Sequence, residues 1–450
     1  MEESLTNRVE RGIMMKNFSS DFMMGAATAA HQVEGNNVYS DFWTMEHIPG
    51  TMYKEPSLEA VDHYHKYKED IQLLVDAGLN TYRFSIEWAR IEPSKGKFDK
   101  NEIEHYRQVL EFCHQNNVTP IVTLHHFSSP KWLISEGGWE SESTIEYFGN
   151  YCRFVVSELG DLIPYICTIN EANMGKQIEK IMKRMTSDKS SQSVKKEDSV
   201  DVQVGLNVDM MAKMEQYYRG LGEAFGIDPR KVQSFLAPRT ENGELIIMKC
   251  HEKARKVIKE VNPKIKVGIT FSLYDHQALP GGESFVEKEQ YEDFLNYLPF
   301  LQEDDFLGVQ NYSRKIHGPD GVIKPDENTR LTKMGYEYYP EALGNVLRFV
   351  AKHWEKPIIV TENGISTDND ADRVEFIERA LSGVYQCIEE GINVIGYTYW
   401  SLLDNFEWQL GYAQTFGLIA VDRTSQTRYP KESLSFLGNI KQAGLNGINV

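Results

Sequence analysis

The chain has 450 residues, 41% of them hydrophobic, which is enough to bury a large core. Its 48 Lys and Arg against 66 Asp and Glu give a formal net charge of −18, a balance that opposes nucleic acid and anionic membranes and suits neutral or cationic small ligands. The charged start MEESLTNRVERG has no apolar core, and no stretch elsewhere is long enough to span a bilayer, so a cytoplasmic protein with no membrane partner is expected.

In chain order, eight short apolar runs read as strands: Phe22–Ala30, Thr81–Trp88, Thr119–His126, Ile163–Asn170, Lys266–Leu273, Phe306–Tyr312, Pro357–Asn363 and Asn393–Ser401. Between them, segments such as Asp62 to Gly78 and Asn101 to Asn117 place apolar residues at helical spacing and stop at Gly or Asn. Eight β units alternating with helices predict an α/β fold, a single closed (β/α)₈ TIM barrel over residues 17–450, preceded by an N-terminal extension at 1–16. The stretch MTSDKSSQSVKKEDSVDV, near 185–202, is polar and Ser-rich and reads as a mobile insert after the fourth strand. Five cysteines, odd in number, widely spaced and without a CxxC pair, read as buried thiols of a reducing compartment.

Two of the runs end in a carboxylate beside an asparagine: Glu171 in CTINEAN and Glu362 in IIVTENG. A charge at the end of a buried strand is costly unless the site uses it, and the strand ends of a barrel are where its chemistry sits. Two such acids suggest the paired carboxylates of glycoside hydrolysis, although a strand-end Glu taken singly is as readily a salt-bridged rim residue. A histidine pair such as His125–His126 points to opposite faces of a strand, and His63 and His65 lie on a helical pattern and do not converge, so neither pair reads as a metal site.

Most of the chain resembles the family 1 glycoside hydrolases, the retaining β-glucosidase and β-galactosidase family. The motifs that carry the resemblance are FMMGAATAAHQVEG, YRFSIEWARIEP, TLHHF, TINEAN, QNYS, VTENG and WSLLDNFEW, which fall on seven of the eight predicted strands in family order. The resemblance implies that Glu171 is the general acid/base and Glu362 the nucleophile. It makes Arg83 the cation that keeps Glu362 ionised, Tyr312 a hydrogen-bond donor to the nucleophile, and Asn170 the holder of the sugar 2-hydroxyl. Gln32, His126, Trp400, Glu407 and Trp408 match the sugar-binding positions, and Phe416 the aromatic near the 6-position. Taken alone, a Trp at a strand end such as Trp400 is ordinarily core. Glu87 and Glu92 read as structural ion-pair partners.

These matches imply an exo-β-glycosidase, needing no cofactor or metal, whose partner is a small-molecule β-glycoside and which acts by double displacement. Phosphate-specific members of the family replace the Glu-Trp pair with a segment carrying lysine and tyrosine. Glu407–Trp408 therefore implies a non-phosphorylated glycone. Ala172 stands where the family has a proline, which frees the backbone and adds one N–H that needs a partner. From Asn173 to about Lys249 the resemblance fades, so the leaving-group side is the least legible. Transglycosylation would use the same residues, and a non-catalytic carbohydrate-binding barrel typically loses one of the two carboxylates that this chain retains. Assembly into a homo-oligomer is left open.

Overall fold

The computed structural model describes residues 17–187 and 214–444. The N-terminal extension lies outside those residues, as does the polar insert apart from its first three residues, which end the helix Met174–Ser187. All eight expected runs form strands, each shorter than its apolar stretch: β1 (Met23–Ala27), β2 (Thr81–Ser85), β3 (Thr119–His125), β4 (Tyr165–Ile169), β5 (Lys266–Ser272), β6 (Phe306–Gln310), β7 (Ile358–Glu362) and β8 (Val394–Trp400). They pair in parallel, each with its neighbour in sequence, and β1 closes the barrel on β8 with Ala27 opposite Trp400.

Covered outside by helices and inside by side chains, these strands are buried on both faces, which is why they read as continuous apolar runs rather than alternating ones. Near their N-terminal ends the inward side chains Met23, Ile121, Cys167, Phe306 and Ile359 form a separate apolar cluster. Towards the C-terminal ends the interior becomes polar, with Arg83, Thr270, Gln310 and Glu362 all buried there. The apolar floor supports the strands, and the polar upper layer holds the functional groups.

The two helical segments read from sequence form as His63–Asp76 and Lys100–Gln115. The second is capped by the Asp99 carboxylate on the Asn101 N–H, whereas Asp62, ahead of the first, has no such bond and instead holds His65 at 2.6 Å. Two small sheets were not anticipated: Asp275–Ala278 with Arg314–Gly318 and Gly321–Ile323, and the hairpin Ile419–Asp422 with Thr427–Pro430. Their strands have three to five residues and carry many polar side chains, so they lack the pattern that marks the barrel. All five cysteines are buried and unpaired. Among the described residues no helix is long and apolar enough to cross a membrane.

Candidate active site

Glu362 ends β7, and its two carboxylate oxygens are held by different donors. Arg83, on β2, donates from Nη1 to Oε1 at 2.6 Å, and the Tyr312 hydroxyl donates to Oε2 at 2.6 Å. The other Arg83 amine, Nη2, donates to Asn170 Oδ1 at 2.6 Å, so one guanidinium fixes Glu362 relative to the end of β4. The Thr270 hydroxyl donates to Gln310 Oε1 at 3.0 Å, which leaves Gln310 Nε2 to donate to Asn170 Oδ1 at 2.9 Å.

Because donors surround Asn170 Oδ1, its Nδ2 faces His126 Nε2 at 3.1 Å. His126 therefore accepts at Nε2 and carries its proton on Nδ1, a tautomer assigned from this network. Burial, together with Arg83 and His125, pushes the ring well below the usual histidine range, so it is neutral. Its Nδ1 has no partner among the described residues. His125 points the other way, into Trp139 at 4.5 Å and Phe235 at 4.8 Å, as the alternation of a strand requires.

Glu171 sits just past β4 with φ of 43°, a left-handed conformation that costs a non-glycine residue about 1 kcal/mol or more. Its own N–H donates to the Thr270 hydroxyl at 2.8 Å, and the Ala172 N–H donates to the Thr270 carbonyl at 3.0 Å. The extra N–H that comes with alanine is thus paired, and the loop has a defined geometry without the proline. The Ala172 carbonyl is held in turn by Arg239 Nη1 at 3.0 Å. Arg239 fits because residue 175 is glycine; a Cβ there would lie 2.5 Å from the guanidinium carbon. Two residues past Glu171, Asn173 donates to the Ser272 carbonyl at 2.8 Å and the Asp293 carbonyl at 3.0 Å, which anchors the loop on the neighbouring β unit.

The two carboxyls sit in unlike surroundings. Glu171 Oε1 is buried with no partner among the described residues, and burial with the adjacent Glu362 charge raises this carboxyl well above the usual range. Burial raises Glu362 too, but Arg83 and the hydrogen bond from Tyr312 oppose it. Only Glu362 thus has a cation and a hydroxyl that favour its ionised form, an inequality that suits one acid and one base.

Around this pair the remaining candidates converge. Gln32, on the short helix Ala30–Val33, donates to the Phe406 carbonyl at 2.7 Å and to Glu407 Oε2 at 3.4 Å, while its Oε1 has no partner among the described residues. Trp400 stacks on His126 at 5.6 Å and packs with Tyr312, Tyr336 and Phe416, so it belongs to a core cluster and to the wall of the site together. Trp408, at φ of 46°, lies parallel to His31 with ring centroids 6.0 Å apart and packs on Phe42 at 4.8 Å. Thr270, Gln310, Tyr336 and Arg239 were not singled out from sequence. Gln310 lay inside a recognised motif, but the other three carry no local signal.

Among the described residues Glu87 and Glu92 form no ion pair, contrary to the sequence reading. Glu87 accepts from the Ala89 N–H and the Ser128 hydroxyl, both at 3.1 Å, and Glu92 from Trp88 Nε1 at 2.8 Å and the Gly96 N–H at 2.7 Å. The nearby Arg90 is taken by Glu34 at 2.8 Å. Among the described residues His276, Glu289 and Asp293 have the spacing of metal ligands, but the Lys180 ammonium lies 2.9 Å from Glu289 and 3.1 Å from Asp293, making this a salt-bridged anchor.

A family model described as Glycosyl hydrolase family 1 matches residues 14–313 and 302–445. A solved structure described as beta-glycosidase BGL167 is 41% identical, with a TM-score of 0.83, covering 96% of this chain and 99% of that one. Beta-glucosidase A of Acetivibrio thermocellus is 27% identical over 92% of this chain and 96% of its own length. A 6-phospho-beta-galactosidase of Clostridium acetobutylicum is 28% identical over 93% of this chain and 96% of its own.

Proposed function

The chain belongs to glycosyl hydrolase family 1 and is a β-glucosidase-like O-glycosyl hydrolase, and on that footing we propose that it is a retaining exo-β-glycosidase acting on terminal, non-phosphorylated β-D-glycosides. Glu362 attacks the anomeric carbon while Glu171 donates its proton to the leaving oxygen, which forms a covalent glycosyl-enzyme. In the second step Glu171, now ionised, takes a proton from water as that water attacks the anomeric carbon and releases Glu362.

The observation that carries this reading is the asymmetry of the two acids. Glu362 is oriented and charge-stabilised by Arg83 and Tyr312, and Glu171 has an oxygen with no protein partner, as a proton donor to substrate requires. Asn170 Nδ2 has two hydrogens and gives one to His126, so the second is available to a sugar hydroxyl. His126 Nδ1–H and Gln32 Oε1 supply one donor and one acceptor of fixed direction, and Trp400 and Trp408 supply flat apolar faces. Glu407 speaks against a phosphorylated sugar, because its carboxylate would repel the phosphate dianion.

Release of p-nitrophenol from gluco, galacto, fuco and 6-phospho-gluco substrates, with proton NMR of the first sugar released, tests the proposal. Early β-anomer from a non-phosphorylated glycoside is expected, together with loss of turnover in Glu362→Ala. Preference for the 6-phospho substrate, or early α-anomer, would overturn it.

A further inference from the structure

Ser272 ends β5, and its main chain is clamped to the loop that carries Glu171. The Asn173 amide donates to the Ser272 carbonyl at 2.8 Å and accepts from the Ser272 N–H at 3.1 Å, and Gln177 Nε2 donates to the same carbonyl at 3.0 Å. Side chains two apart on a strand share a face. Thr270, two residues back, sends its hydroxyl inward to the Glu171 N–H, so the Ser272 hydroxyl lies on that inner face, roughly 7 Å further towards the C-terminal end of the strand.

Ser272 is fully buried, and its hydroxyl has no partner among the described residues; the same holds for Glu171 Oε1. A buried hydroxyl left unanswered is costly and calls for a reason. Burial, the Glu362 charge and the Glu407 charge raise the Glu171 carboxyl, while the Ser272 hydroxyl and Arg83 draw it down. Tyr312 and Tyr336 also feel this carboxyl, and burial holds both phenols neutral.

In the proposed reaction these influences change between the two steps. Before the first, Glu171 is a neutral acid and offers the hydroxyl no charge to bind. After it, Glu171 has lost its proton, Glu362 has become an ester, and the Glu362 charge no longer opposes ionisation. Arg83 remains bonded between Glu362 and Asn170, whereas a hydroxyl hydrogen turns freely to meet a new acceptor. We infer that Ser272 is a positioning residue for the second step: its hydroxyl donates to Glu171 once that acid has given up its proton, and keeps it ionised to act as the base. This rests on the proposed retaining mechanism. With the bond in place, a proton of water passes to Glu171, the water oxygen bonds to the anomeric carbon, and the bond from that carbon to Glu362 breaks with its electron pair returning to Glu362.

The test is Ser272→Ala, which removes the hydroxyl and little else. With 2,4-dinitrophenyl β-glucoside the leaving group needs no proton, so hydrolysis of the glycosyl-enzyme limits kcat. Loss of a donor to a buried charge should move the acid limb of kcat up by about one pH unit. Below that limb kcat falls about tenfold and KM falls in step, while the stopped-flow burst of dinitrophenol keeps its rate. On methyl β-glucoside, where the protonated acid is needed, the alkaline limb of kcat/KM should also move up by about one pH unit. Limbs that stay in place, whether kcat holds or falls equally at every pH, overturn the inference, as does a burst slowed as much as the steady state. If the native chain hydrolyses no glycoside, or releases the α-anomer first, the proposed function fails and the role of Ser272 with it. Early β-anomer from a native chain that Ser272→Ala matches at every pH removes the role of Ser272 alone.

Discussion

Arg239 offers the sharpest test of how the Glu171 loop is held. Its guanidinium is 2% exposed and donates to the Ala172 carbonyl at 3.0 Å, the Phe235 carbonyl at 2.7 Å and Glu244 Oε1 at 3.1 Å, while lying over the Phe235 ring at 4.5 Å. Arg239→Met keeps the length and removes every donor. Breaking a buried pair costs about 3–5 kcal/mol. The lower figure applies here, because Glu244 keeps the Tyr297 hydroxyl at 2.7 Å and burial already favours its protonated form. With about 2.1 cal/mol/K of unfolding entropy per residue, 450 residues give roughly 0.9 kcal/mol/K, so about 3 kcal/mol lowers Tm by about 3 °C. The larger effect should fall on catalysis. A loop loosened by about 1 Å at the acid costs on the order of 100-fold where the leaving group needs a proton, and far less for a dinitrophenyl glucoside that leaves unaided. Scanning calorimetry and kcat/KM on methyl and 2,4-dinitrophenyl β-glucosides read the two effects separately. Equal losses on both substrates would refute the positioning argument, and an unchanged Tm would refute the energetic one.

Glu171→Gln should lower kcat/KM by about 10²–10⁴ for poor leaving groups and much less for dinitrophenyl glucoside, checked by a leaving-group series. The raised carboxyl of Glu171 places the alkaline limb of the pH–rate profile above the ordinary carboxylate range, and that limb should vanish in the variant. Tyr312→Phe removes a donor to the ionised form of Glu362, so the acid limb should move to higher pH, with kcat/KM falling roughly tenfold at pH 6. Asp41 is pushed by burial from 3.8 up to about 8, so its contribution to stability is present in full below pH 3.8 and is lost as pH rises towards 8. Asn in its place can still accept from the Phe42 and Ser129 N–H groups, so Asp41→Asn should raise Tm by more at pH 9 than at pH 5; an equal change at both would count against the buried acid.

The barrel was legible because a parallel strand buried on both faces is written as an unbroken apolar run, and eight such runs leave few alternative folds. Glu171 and Glu362 were legible for the same reason, since each interrupts its run. What sequence did not expose are partners brought in from afar. Thr270 reaches Glu171 across 99 positions and Arg239 reaches Ala172 across 67, and neither stands next to a strand-end charge. Glu87 and Glu92 were misread because the local pattern shows a cation in Arg90 but not that Glu34, 56 positions away, already holds it. Ala172, standing where the family has a proline, was expected to leave the loop after Glu171 freer. Without that proline the chain fixes the loop with a glycine-accommodated arginine, a solution spread over residues 172, 175 and 239 that no single motif records.

Three buried atoms, Gln32 Oε1, His126 Nδ1 and Glu171 Oε1, have no partner among the described residues. An unpaired buried polar group costs on the order of 1–3 kcal/mol, and a ligand that fits repays it while one that lacks the matching group does not. Discrimination at this site should therefore be harsher against deoxy and fluoro sugars than against epimers that keep every hydroxyl and merely redirect one.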